Sequence, residues 1–176
     1  MRAILTKSVA AIALLSAVQA QAADVAQQCL TRDEIHGMIA FVLPSAITSV
    51  AEKCTPALPK DAFLLSRAPQ VVSELEPARA ASFPMAKSAF MKFGGSADAD
   101  SMKMMSALPE EALRPLIEMV VAEKITGAIK PESCKDIDRV FATIAPLPGA
   151  NMIDLVTEAL MIAGRKDDKM RSCPEA

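Results

Sequence analysis

The chain has 176 residues, 19 of them basic and 21 acidic, and it lacks both Trp and Tyr. A mild acidic balance with no basic block excludes nucleic acid and anionic membrane surfaces as the main partner. The missing aromatics remove the usual stacking platforms for bases and sugars.

Residues 1–22 read as a cleaved secretory signal peptide. Arg2 and Lys7 supply a positive start, Val9 to Val18 an apolar stretch, and Ala20-Gln21-Ala22 a small-residue cleavage box. Residues 23–176 are then expected to form a single all-helical domain, periplasmic or secreted, with no transmembrane segment in the mature chain. Losing Arg2 and Lys7 leaves a net charge of about −4.

Thr31 to Glu34 has the spacing of a capping box, followed by Ile35, Met38, Ile39 and Val42 on one face. Pro44 is expected to end this helix, and Ser45 to Lys53 reads as a second one. If the helix instead ran through Pro44, Cys29 and Cys54 would stand about 37 Å apart and could not meet. Near the other end, Ser133 and Asp136 read as caps of a helix carrying Ile137, Val140, Phe141 and Ile144. After the stop at Pro146 to Gly149, the next helix is expected to turn Met152, Val156, Leu160 and Ala163 inward. The order Cys, helix, proline turn, helix, Cys thus occurs twice, and it favours pairing Cys29 with Cys54 and Cys134 with Cys173 among the three possible connectivities.

Between these hairpins, Pro69, Pro77 and Pro84 are expected to cut the chain into short helices. Phe83, Ala86, Phe90 and Phe93 share a face that ends at Gly94-Gly95, and a short helix through Met102 and Met105 follows. The longest uninterrupted periodic stretch is Pro109 to Ile129. Leu113, Leu116, Ile117, Val120, Val121 and Ile125 recur there at three- and four-residue steps, with Glu111, Arg114 and Glu118 opposite. The expected architecture is a compact all-α bundle of short, proline-punctuated helices around this long one, stapled by two disulfides.

Catalytic and metal-binding patterns are sparse. His36 is the single histidine and falls on the polar stripe of its helix. The G-x-S-x-G, S-x-x-K, H-E-x-x-H and C-x-x-C patterns are absent. Asp98-Ala-Asp100 lacks the glycine and closing Glu of a calcium loop, which leaves helix capping as its role. Met85, Met91, Met102, Met104 and Met105 crowd around the phenylalanines. Thioethers can hold Cu(I), but such a site wants a histidine or thiolate as well. Flexible methionines more readily form an adaptable apolar surface or ordinary core.

The sequence therefore points to an exported, non-enzymatic binding module with no cofactor and no metal. Its partner would be an unknown protein or apolar ligand, held at Phe83, Met85, Phe90, Phe93, Met102 and Met105. A structural or stress-related cell-envelope protein without a small ligand is the alternative.

Overall fold

The computed structural model describes residues 29–93, 99–165 and 172–173, with side chains at 93 and 99–102 left aside. Six α-helices build it: α1 (Arg32–Cys54), α2 (Phe63–Phe93), α3 (Ala99–Ser106), α4 (Glu110–Ala128), α5 (Cys134–Ile144) and α6 (Gly149–Gly164). Among the described residues there is no strand, only an isolated parallel bridge between Leu30 and Ser172. The all-α class and the two disulfides expected from the sequence are both present.

The organising pair is α1 against α2, rather than the helix after Pro109. Its first partner starts at the expected capping box: Thr31 Oγ1 accepts from the Glu34 amide at 3.2 Å, and Glu34 accepts from the Thr31 amide at 2.9 Å. α1 then continues through Pro44, which is buried, and does not turn back there. At 23 residues it spans about 34 Å. By length and composition α1 could cross a bilayer, yet half of its apolar window is buried inside the protein, as in a core helix.

α2 runs for 31 residues with Pro69, Pro77 and Pro84 inside it, so the expected short segments are one helix. The prolines are spaced eight and seven residues apart and all three are exposed. Each removes one backbone bond on the solvent side. Ala68, Val71, Leu75, Phe83, Ala86, Ala89 and Phe90 meanwhile keep a continuous buried stripe on the other. Burial along roughly eight turns outweighs three local interruptions. An amide in the first turn of the helix is held from far along the chain, where Leu64 N donates to Asp138 Oδ1 of α5 at 2.6 Å.

Two apolar cores flank the α1–α2 pair. The larger joins Ile35, Ile39, Ile47, Leu64, Val71 and Leu75 to Phe141 of α5 and to Met152, Ile153 and Met161 of α6. The smaller joins Phe41, Val42, Phe83, Ala86 and Phe90 to Leu113 and Ile117 of α4. In α5, Val140 is exposed rather than inward, and Ser133 makes no side-chain cap. α6 presents Met152, Ile153, Thr157, Met161 and Gly164 to the core. Of the expected inward residues, Met152 is buried and Val156 and Leu160 pack half-buried against the core, whereas Ala163 is exposed.

The disulfides link Cys29 to Cys173 and Cys54 to Cys134, with Cα separations of 4.9 and 5.5 Å. This overturns the sequential pairing. Because α1 does not fold back at Pro44, Cys29 and Cys54 are held at its opposite ends. Each finds its partner in the C-terminal part of the chain. Cys29 meets Cys173 beside the Leu30–Ser172 bridge, where Cys173 N donates to Leu30 O at 2.8 Å. Cys54 meets Cys134 at the start of α5, and both are fully buried.

Candidate functional site

Among the described residues, the Phe/Met stretch does not present one continuous wall. Phe83 is fully buried and Phe90 is 8% exposed, both in the smaller core. The Phe41 and Phe83 rings lie 5.3 Å apart and tilted. Met85 lies outside this core, beside Gly37 of α1, and is 46% exposed, while Met105 is half-buried at the core's edge. The side chains of Phe93, Asp100 and Met102, and residues 94–98 with the expected Gly94-Gly95 stop and Asp98, lie outside the described residues. Two arginines close this core from above. Arg114 stacks on the Phe83 ring at 3.9 Å, and Arg79 lies 5.7 Å from the Phe41 ring while bonding Glu76 and Glu118. Such stacking favours guanidinium over any other cation. Arg79 burial works against its charge, but bonds from Glu118 and Glu76 outweigh that and raise its pKa. Glu118 thus serves as an inter-helix anchor, where its position on the polar stripe suggested only solvent.

A cleft of about 400 Å³ reaches Phe41 between α2 and α4. Its walls are Glu76, Arg79, Glu111, Arg114 and Glu118, and most of these charges are paired with one another. A second cleft, of about 440 Å³, lies at the other end of the α1–α2 pair. Ala51 of α1 faces Leu65, Ala68 and Val72 of α2 across it, so its walls are mostly apolar. Glu52 and Lys60 stand at its rim, and neither forms an ion pair among the described residues. The cleft opens at a proline turn. Pro69 has no N–H, so the Leu65 carbonyl receives no helical bond from that position. Its size is within the roughly 300–1,000 Å³ of small-ligand sites, and apolar walls with few polar groups are their usual composition.

This second cleft was not legible from the residue pattern. Pro69 reads as a helix start, which hides the fact that Leu65 and Val72 lie on one helix two turns apart. The available signal was the pair Leu65 and Val72 flanking the buried Ala68, a stripe wider than one core contact requires.

His36 is partly exposed, with its Nε2 3.3 Å from Asp154 of α6. Asp154 and Glu158 also meet Arg32, which stands 2.7 Å from Glu158. The cluster ties α1 to α6 at the surface. Among the described residues no three His, Cys, Asp or Glu side chains converge as metal ligands would. The chain significantly matches no family model, no curated protein and no solved structure.

Proposed function

We propose that the chain is a non-enzymatic binding module of the periplasm or cell exterior, which holds an apolar segment or small apolar molecule in the cleft between the C-terminal half of α1 and the N-terminal half of α2. The observation that carries this reading is the cleft itself: about 440 Å³, walled largely by Ala51, Leu65, Ala68 and Val72. Two disulfides fit an oxidising compartment. The signal-like residues 1–22 fit export to one. The single histidine sits in a surface ion-pair cluster, and no nucleophile–base pattern accompanies it.

A structural envelope protein is the second reading, and the filled Phe41–Phe83–Phe90 core favours it, since the Phe/Met region then serves packing alone. A melting-temperature titration with saturated fatty acids and apolar peptides separates the two. A ligand confined to the folded form raises the melting temperature with its concentration. Thr48→Arg, an exposed position on the cleft wall, should fold normally and abolish the response. No shift across the whole series would leave the structural reading standing.

A further inference from the structure

The described methionines differ widely in exposure. Met104 and Met119 are 71% and 65% exposed and Met85 is 46% exposed, whereas Met152 and Met161 lie in the larger core at 1% and 2%. Few other side chains compete with them for two-electron oxidants. The chain has 11 methionines but no Trp and no Tyr, and all four cysteines are already disulfides.

We propose that Met104 and Met119, followed by Met85, are sacrificial oxidation sites for hydroperoxides. The thioether sulfur attacks the terminal oxygen of the hydroperoxide, the O–O bond breaks, and that oxygen ends on sulfur as a sulfoxide. Sulfur is oxidised by two electrons, and the hydroperoxide leaves as water or as the corresponding alcohol. The sulfoxide is polar, and a methionine sulfoxide reductase returns it to the thioether. At Met104 and Met119 the new polar group points into water and costs no packing. At Met152 it would enter the core. Met38, Met91 and Met105 occupy an intermediate place at the edge of the smaller core, where oxidation comes later and loosens α4.

The test treats the folded full chain with limiting hydrogen peroxide and follows each methionine by peptide mass spectrometry, with helicity read in parallel. Met104 and Met119 should gain one oxygen each on the order of tenfold faster than Met152 and Met161, because core sulfur reacts only through opening of the fold. Helicity should stay unchanged, and methionine sulfoxide reductase with its dithiol reductant should remove both oxygens. The double variant Met104→Leu, Met119→Leu should fold alike and lose the fast phase of peroxide consumption. Oxidation of Met152 or Met161 at the surface rate, loss of helicity with the first equivalents, or an undiminished fast phase in the double variant would each overturn the proposal. None of these outcomes depends on whether the α1–α2 cleft binds a ligand.

Discussion

Lys92 Nζ, near the end of α2, donates to Glu34 Oε2, in the first turn of α1, across 2.8 Å. Ser88 Oγ donates to the other carboxylate oxygen at 2.6 Å and the Thr31 amide to the first, so a carboxylate only 6% exposed is saturated with donors. Burial alone would raise its pKa. The bonds from Lys92, Ser88 and Thr31 outweigh burial and lower it from 4.5 to about 2. A depressed carboxylate pKa contributes stability that is complete above the unfolded value and is lost as pH falls through the folded one. The window here runs from pH 4.5 down to about 2. The ionised form should contribute about 3 kcal/mol above that window. In urea melts over a pH series, the wild type should lose that increment on acidification and Glu34→Gln should not. Parallel pH slopes would remove Glu34 as the acid-sensitive group.

The disulfides give a second expectation. Non-reducing peptide mapping should return Cys29–Cys173 and Cys54–Cys134. Cys54 and Cys134 are fully buried, whereas Cys173 is partly exposed. Under limiting dithiol, alkylation should therefore label Cys29 and Cys173 first. Closing the inner 80-residue separation stabilises by about 4.5 kcal/mol on loop entropy alone. Replacing both Cys54 and Cys134 by Ala should accordingly destabilise far more than an ordinary surface change. Simultaneous labelling of all four cysteines would contradict the difference in access.

What the sequence made legible was local. The Thr31–Glu34 capping box needs only a four-residue spacing, and the absence of alternating β-branched runs suffices for an all-α class. The long-range choices were harder to read. Pro44 and the three prolines of α2 break a helix in isolation, and only the stripe from Ala68 to Phe90, buried against α1, shows why they do not here. The disulfide pairing then followed the wrong helix boundary, since its logic already contained the correct consequence of a straight α1. The α1–α2 cleft was hidden for the same reason. Its residues become neighbours only once α2 is one helix.

A third prediction concerns α4. Ile117 and Leu113 are fully buried, while Val121 is half-buried at the edge of the smaller core. Ile117→Ala and Leu113→Ala should each cost about 2–5 kcal/mol, through lost burial and the cavity left behind. Val121→Ala should cost less than either. Glu118→Ala removes the inter-helix bond to Arg79, but Arg79 keeps Glu76 and its place over Phe41, so the loss should stay near 1 kcal/mol. Chemical denaturation of the four variants orders these values. A Val121→Ala effect equal to that of Ile117→Ala would mean that α4 is rotated about its axis.

A close approach of α1 to α2 supplies the last prediction. Gly37 is buried, and a Cβ placed on it would lie 2.3 Å from Met85 Cβ and 3.4 Å from Met85 Cα. These atoms are fixed by the α2 backbone and cannot swing aside as the end of a flexible side chain could. Gly37→Ala must therefore part the two helices that carry both cores. Overpacking of this kind costs about 1–3 kcal/mol. Alanine's better helix propensity returns about 1 kcal/mol at most. Gly127, exposed in the last turn of α4, is the control, because an added Cβ there meets nothing within 4 Å. Gly127→Ala should stabilise by about 0.5–1 kcal/mol through propensity alone. Opposite signs for the same chemical change, measured in urea, would place the tight helix crossing at Gly37. Stabilisation by both substitutions would mean that α1 and α2 stand further apart there than 2.3 Å allows.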